Sequence, residues 1–214
     1  MTSDKQFWGS KAKAYDRIIT LLSHKGYRLI YEFIKAPLTK EMQVLEVGTG
    51  TGLIAKKIAD RVQHVEATDF SEEMIATAQK TAYPSNIHFS CANIFKLPFD
   101  NQTFDVVVAS NMLHIIPEPE KAMTEIKRVL KPNGLLIAPT FLWKELRFFG
   151  KIQRFFMLLK RFPLKTEWNE ETFKSFITDN GFTITKFEII NLSFAIGCVT
   201  ATLKDKSYKL KGKK

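Results

Sequence analysis

The stretch VLEVGTGTG, from Val44 to Gly52, restricts the possible fold more than any other part of the sequence. An apolar run leads into three glycines that alternate with threonines, and the amphipathic pattern LIAKKIADRV follows over residues 53–62. Glycine lets a ligand approach the main chain, and the first turn of a helix presents unpaired N–H groups to it. The segment therefore predicts a strand, a ligand-binding turn and a helix, which together begin a βα unit.

Strand-like and helix-like patterns alternate along the next part of the chain. The glycine turn is preceded by a predicted strand over 43–47, and four further strands are predicted over 64–69, 87–92, 104–110 and 135–140. Helices are predicted over 72–82, with Ser71 as N-cap, and over 117–130, which begins with proline and acids and ends with basic residues. This alternation predicts an α/β fold with a mainly parallel sheet.

The two ends of the chain have different patterns. Two helices are predicted before Pro37, over residues 7–19 and 25–36. After the fifth strand, a helix over 169–180 precedes two strands over 182–190 and 192–203, whose short connection indicates an antiparallel pair. At 214 residues, the chain has the length of one domain with a sizeable core.

The net charge of +10 lies in two segments. Residues 204–214 carry six lysines and one acid, and residues 141–162 carry six basic residues and one acid, so each contributes +5 and the remainder is neutral. The N-terminus has no apolar signal core, and no run of about 20 apolar residues is long enough to span a bilayer, which predicts a cytoplasmic protein. Cys91 and Cys198 have neither metal-binding nor redox spacing and are predicted to be buried thiols.

Three kinds of ligand use a glycine-rich turn of this type. A nucleoside-triphosphate loop requires Gly-Lys-Ser/Thr, whereas Gly52 is followed by Leu53 and Ile54. The dinucleotide fingerprint G-x-G-x-x-G matches at Gly48 and Gly50, but its third glycine falls on Leu53. A dehydrogenase is therefore an imperfect match and remains an alternative.

The third kind of ligand, a nucleoside without a phosphate chain, fits the sequence better. The pattern E-x-G-x-G-x-G, together with Leu97-Pro98-Phe99, Phe104-Asp105 and EIKRVLKPNGLLIA, resembles the class I S-adenosylmethionine (SAM)-dependent methyltransferases. Within them, the ubiquinone/menaquinone-biosynthesis-like group (methyltransferase type 11) is the most similar, over residues 7–140. The resemblance implies a three-layer, Rossmann-like, seven-stranded sheet that is mostly parallel with its last strand antiparallel. It also implies one methyltransferase domain over 1–203, with a helical cap over 1–36, a lid over 141–168 and a basic tail over 204–214.

The resemblance assigns SAM as cofactor and most of its contacts. The loop amides face the ligand's carboxylate, and Glu46 balances its ammonium or sulfonium group. Asp69, at the end of the second strand, accepts hydrogen bonds from the ribose hydroxyls. The loop residues concerned are Gly48, Thr49, Gly50, Thr51 and Gly52.

The remaining predicted contacts surround the adenine and the transferred methyl group. Phe70 and Met74 pack on the adenine, and Asn93 replaces the family's aspartate as acceptor for the adenine amino group, with the Ile94 amide facing the ring. Tyr15 covers the cofactor, and Ser110 and Asn111 contact it. His114 is the candidate general base, although a satisfied buried histidine is the alternative. The reaction requires no metal.

The segment 141–162 bears on the methyl acceptor. On a helical wheel its phenylalanines lie opposite its basic residues, which predicts an apolar or amphipathic acceptor, lipid-like or quinone-like, and contact with an anionic membrane. Alternatively, the phenylalanines complete the core and the basic face is solvated. The chain lacks the Asn/Asp-Pro-Pro-aromatic motif and appended RNA-binding modules, which disfavours a nucleic-acid methyltransferase. A non-catalytic SAM-binding protein would carry the same glycine loop and Asp69.

Overall fold

The computed structural model describes residues 6–10, 27–145, 162–191 and 195–203 of the chain. Tyr15, the central part of the predicted lid and the basic tail lie outside these ranges. The strands, in chain order, are β1 (Gln43–Val47), β2 (His64–Asp69), β3 (Ile87–Cys91), β4 (Phe104–Val108), β5 (Leu130–Phe141), β6 (Phe182–Asn191) and β7 (Ala195–Leu203).

Helices connect these strands. The labelled helices are α1 (Leu53–Ile58), α2 (Glu72–Gln79), α3 (Pro119–Val129) and α4 (Glu170–Asp179). Residues 6–10 and 27–35 are also helical, and short 3-10 turns cover Ala59–Arg61 and Trp143–Glu145. The Ser71 hydroxyl accepts the Met74 amide, so the predicted N-cap of α2 is confirmed.

The sheet has the strand order β3-β2-β1-β4-β5-β7-β6. Strands β3, β2, β1, β4 and β5 pair in parallel, whereas β7 runs antiparallel to both β5 and β6. The predicted seven-stranded, mainly parallel sheet with an antiparallel last strand is therefore confirmed. Because the strand order reverses between β1 and β4, their carboxyl ends border a crevice, the usual ligand position in open α/β sheets.

The sheet lies between two apolar layers. Val44 and Val106 pack on one side with α1, α2 and the helical residues 27–35, whereas Leu45 and Val107 pack on the other with α3 and α4. Neighbouring positions of one strand thus face opposite layers, as the period of two requires. The uninterrupted valines of β4 reflect this burial on both sides.

Two expectations differ from the structure. The turn predicted at 131–134 is part of β5, because the ladder with β4 continues from Phe104–Leu130 to Val106–Leu135 across an irregularity. Asn133 has φ 61° there, so the local turn is accommodated as a bulge within the strand. Cys198 is buried as predicted, but Cys91 is exposed, because β3 is an edge strand and Cys91 lies at its end.

Candidate cofactor and acceptor site

A cavity opens at the carboxyl ends of β1, β2 and β4. It is lined by nine of the residues that the sequence predicts as cofactor contacts, and these come from four separate stretches of chain. They are Gly48, Gly50, Asp69, Phe70, Met74, Asn93, Ile94, Ser110 and Asn111. The strand order therefore brings together groups that are more than 60 residues apart in sequence.

The glycine loop between β1 and α1 has a left-handed backbone. Gly48, Gly50 and Gly52 all have positive φ, at 68°, 56° and 78°. A Cβ atom on Gly52 would lie 2.6 Å from Cζ of Phe89, so this position has neither the conformation nor the space for a side chain. A Cβ atom on Gly48 would lie 3.0 Å from Cβ of Met112, which places the loop directly beside the chain that follows β4.

Asp69 ties the end of β2 to this loop. Its Oδ2 accepts the Gly50 amide and its Oδ1 accepts the Ser71 amide, both at 2.9 Å. Burial raises the pKa of Asp69 above its usual range, although the two amides oppose that shift. Each carboxylate oxygen retains a further lone pair, so the side chain holds the loop and can still accept hydrogen bonds from the cavity.

Several loop amides donate within the protein. The Thr49 amide donates to the Thr68 carbonyl at 2.9 Å, and the Gly52 amide donates to the Thr49 carbonyl at 3.0 Å. With Gly50 engaged by Asp69, three amides of the loop stabilise the loop itself. A ligand carboxylate therefore requires other donors at this end of the cavity.

Glu46 lies behind the loop. Its Oε2 accepts the Thr49 hydroxyl at 2.7 Å, and the Ala55 amide also donates to the carboxylate. Glu46 is buried and is absent from the cavity lining of the described residues, as are Thr49 and Thr51. Burial raises the pKa of Glu46 to about 8, because the charged carboxylate loses its hydration. The geometry thus gives Glu46 the loop and α1 as its partners.

Asn93 closes a short turn after β3. Its Oδ1 accepts the Phe95 amide at 3.0 Å, and its carbonyl accepts the Lys96 amide at 2.9 Å. The side-chain oxygen has a second lone pair, which leaves it able to accept an N–H group from the cavity. Asn93 lines the cavity after β3, and Phe70 and Met74, which are also predicted to contact the adenine, line it after β2.

His114 lies in an aromatic cluster beside the cavity. Its ring centroid is 5.5 Å from that of Phe141, 5.9 Å from Trp143 and 6.4 Å from Phe162. Nδ1 is 3.1 Å from the Thr140 hydroxyl, and Nε2 is buried with no hydrogen-bond partner among the described residues. Burial lowers the pKa of His114 to about 3, so the imidazole is neutral at pH 7.

One wall of the cavity was not predicted from the sequence. This apolar wall comes from the helical residues 6–10 and from the loops after β3 and β4, and its members are Trp8, Phe95, Met112, Ile115, Ile116 and Pro117. Trp8 also contacts Phe162, with ring centroids 5.9 Å apart, so this wall adjoins the aromatic cluster around His114. The apolar run Ile115-Ile116-Pro117, in the loop that follows β4, was the available signal for part of it.

Within residues 6–10, 27–145, 162–191 and 195–203, no three His, Cys, Asp or Glu side chains group as a metal ion would require. No described helix combines the length and apolarity needed to cross a membrane.

Residues 45–138 match the family model described as a methyltransferase domain. Two similar curated proteins are a demethylmenaquinone methyltransferase of Clavibacter sepedonicus and a ubiquinone/menaquinone biosynthesis C-methyltransferase of Rickettsia massiliae. The first is 36% identical over 61% of this chain and 54% of its own length, and the second 35% identical over 61% and 57%. The matches thus span little more than half the length of these curated relatives.

A solved structure extends the likeness over nearly the whole chain. The SAM-dependent methyltransferase of Aquifex aeolicus superposes with a TM-score of 0.68 at 25% identity, covering 92% of this chain and 98% of its own. The matched segment 45–138 contains the glycine loop, Asp69, Asn93 and the loop after β4. The fold, the cavity and these likenesses together support a class I SAM-dependent methyltransferase, similar to the group that includes the quinone-biosynthesis enzymes.

Proposed function

We propose that this protein transfers the methyl group of SAM to a small, apolar or amphipathic acceptor of a lipid-like or quinone-like kind. The observation that carries the proposal is the pairing of the Asp69-braced glycine loop with an apolar wall in one cavity. The relatives named for quinone biosynthesis support the acceptor class. SAM supplies an electrophilic methyl group on a sulfonium. The leaving group is a neutral thioether, which needs no protonation.

The residues of the cavity would hold SAM along its length. Asp69 would accept the ribose hydroxyls, and Asn93, Phe70 and Met74 would bind the adenine. Glu46 would act through the loop, by fixing Thr49 and the first turn of α1. These contacts would orient the methyl group toward the chain after β4, where Ser110 and Asn111 line the cavity.

The apolar wall would receive the acceptor. Ile115, Ile116 and Trp8 line the cavity beside the aromatic cluster, so an apolar ring or chain placed there excludes water from the methyl group. Positioning of this kind supplies most of what an in-line displacement needs. His114 lies beside the cavity lining of the described residues, and its pKa of about 3 makes the neutral ring a weak base. A role as base would therefore require Nε2 to reach the acceptor and the pKa of the ring to rise when the acceptor binds.

The test is a single-turnover reaction with methyl-labelled SAM. The protein is mixed with separate lipid, quinone, RNA and small-metabolite fractions, and label transfer is followed. The proposal predicts label in the lipid or quinone fraction. Label in RNA would favour a nucleic-acid methyltransferase, and SAM binding without transfer to any fraction would favour a non-catalytic SAM-binding protein.

A further inference from the structure

Strand β6 forms one edge of the sheet, far from the cavity in strand order, and among the described residues it pairs with β7 alone. The outward-facing N–H and C=O groups of such an edge can pair with a strand of another chain. At ten residues β6 is long for an edge strand, and its sequence FTITKFEIIN is rich in β-branched and aromatic residues. The outer side of β6 is therefore a candidate surface for protein association.

An irregularity limits the length over which a second strand can pair with β6. The ladder with β7 shifts between Ile184 and Lys186, where the Thr185 hydroxyl donates to the Thr200 carbonyl at 3.0 Å. From Lys186 to Asn191 the pairing with β7 is regular. Bulges and lysines on an edge normally discourage association. A partner on this edge must therefore fit the regular stretch and must also neutralise Lys186.

The regular stretch carries opposite charges on one side of the sheet and an aromatic ring on the other. Lys186 and Glu188 form an ion pair at 2.9 Å, and each side chain is 50% exposed. Nζ of Lys186 lies 5.1 Å from the ring centroid of Phe33, on the side of the N-terminal helical residues. Phe187 packs partly buried on the opposite side, against α4. The order Lys-Phe-Glu thus places opposite charges symmetrically about Phe187.

This order is complementary to itself when two copies of the strand run antiparallel. With a two-fold axis at Phe187, Lys186 of each copy lies opposite Glu188 of the other, and the two Phe187 rings become cross-strand neighbours. An axis at Lys186 or at Glu188 would place like charges directly opposite each other, which is destabilising. The charges therefore select one register among the adjacent ones.

A groove beside the strand adds apolar surface to the same edge. It runs between β6 and the helical residues 27–35, and its helical side is formed by Leu29, Glu32, Phe33 and Ala36. Leu29 is 52% exposed and is one of two large apolar side chains that are exposed among the described residues. A two-fold axis perpendicular to the sheet keeps the grooves of both copies on the same side, at the border of the shared strands. Apolar surface at this border is removed from water when the strands pair.

We infer that the protein forms a symmetric homodimer through β6, in which Lys186 and Glu188 of one copy pair with Glu188 and Lys186 of the second copy. The two seven-stranded sheets would then join into one continuous sheet, with a bulge at each end of the shared ladder. Both copies use the same patch, so the interface closes after two chains and covers both β6 edges. This inference is independent of the proposed activity.

The test measures the mass and the dimer dissociation constant by sedimentation equilibrium. The wild-type protein is expected to sediment with twice the mass of one chain. Lys186→Glu makes both paired positions acidic and Glu188→Lys makes both basic, so each variant should raise the dissociation constant by about tenfold or more. Lys121→Glu, which breaks the exposed ion pair with Glu118 in α3, is the matched control and should keep the wild-type constant.

Mixing the two variants distinguishes a contact between copies from an ion pair within one chain. In the mixed dimer the glutamates of one chain face the lysines of the other, so equimolar mixing should restore dimers. The double variant Lys186→Glu/Glu188→Lys should also dimerise like the wild type, because it exchanges the charges without losing their complementarity.

Three results would overturn the inference. A wild-type protein that sediments as a monomer would leave the β6 edge to a strand of a different protein. A dimer that resists both single reversals would have its interface elsewhere. Single variants that are folded by circular dichroism but stay monomeric when mixed would show that the ion pair acts within one chain.

Discussion

The Asp69 carboxylate accepts the Gly50 amide at 2.9 Å, which joins the end of β2 to the glycine loop after β1. The same carboxylate holds the Ser71 amide at the start of α2. One buried side chain therefore fixes the loop, the helix start and the acceptor position that we assign to the ribose. Its loss should affect both folding and ligand binding.

Asp69→Ala should weaken SAM binding and also lower the stability of the fold. Removal of the carboxylate leaves the Gly50 and Ser71 amides without their acceptor. The free energy of SAM binding and the free energy of unfolding should each fall by about 1–3 kcal/mol. Calorimetry with SAM and urea unfolding measure the two effects. Asp105→Ala is the matched control: Asp105 accepts the Gln43 amide and Lys131 but lies outside the cavity lining of the described residues. It should lower stability alone, and unchanged SAM affinity in Asp69→Ala would contradict our placement of the ribose.

Gly52→Ala should be strongly destabilising. The left-handed backbone at φ 78° costs about 1–2 kcal/mol for alanine, and overlap with Phe89 adds about 1–3 kcal/mol. Gly181 also has positive φ, at 88°, but a Cβ atom there would lie 4.0 Å from its nearest neighbour, Cδ of Lys127. Gly181→Ala should therefore show only the backbone cost. Equal free energies of unfolding for the two variants would refute the close approach of Phe89.

Glu46 should make the folded state less stable as the pH rises. Its pKa of about 8 in the folded protein exceeds its ordinary value of 4.5, so the folded state binds the proton more tightly than the unfolded state. The stabilisation is complete below pH 4.5 and is lost as the pH rises through 8. For one proton the slope cannot exceed about 1.4 kcal/mol per pH unit. Urea unfolding between pH 5 and 9 should show a shallower decline in Glu46→Gln; parallel curves would contradict this assignment.

His114 should make the folded state less stable as the pH falls. Its pKa falls from 6.5 to about 3 on folding, so the unfolded state takes up the proton first. The resulting stability is present above pH 6.5 and is lost as the pH falls toward 3. His114→Phe, which keeps an aromatic ring in the cluster, should flatten the loss of stability in urea unfolding between pH 6.5 and 4. An equally steep decline in the free energy of unfolding of the variant between pH 6.5 and 4 would show that other groups cause the loss of stability.

The catalytic part of the His114 hypothesis needs a separate measurement. If Nε2 takes a proton from the acceptor, His114→Phe should lower the rate of methyl transfer by about 100-fold or more, with unchanged SAM affinity. An unchanged rate would show that transfer proceeds without this base, which sulfonium chemistry permits. In that case the histidine serves as a buried partner of Thr140.

Local patterns in the sequence were sufficient for the positions of the strands and for a mainly parallel α/β sheet, whereas the seven-stranded form with an antiparallel last strand was implied by the family resemblance. The glycine loop and Asp69 could be located because each follows directly from the end of a strand, and parallel strands bring their carboxyl ends to one edge. The apolar wall could not be located in this way. Trp8 lines the cavity because the helical residues 6–10 fold back onto it. The sequence of residues 6–10 alone does not indicate this long-range contact.

Glu46 illustrates a different limit. Its sequence position before the glycines suggested a contact with the ligand, but hydrogen bonds to Thr49 and Ala55 direct its carboxylate behind the loop. The same limit applies to the 131–134 turn, because local residues specify the bend whereas pairing with β4 and β7 makes it part of β5. In both cases, hydrogen bonds to residues outside the local segment determine the conformation.

Calorimetric titration of the wild-type protein with SAM, S-adenosylhomocysteine and NAD distinguishes a SAM site from a dinucleotide site. The Asp69-braced cavity should bind the first two at one site per chain and should show no measurable heat with NAD. Binding of NAD in the absence of any binding of SAM or S-adenosylhomocysteine would show that this cavity is not a SAM site.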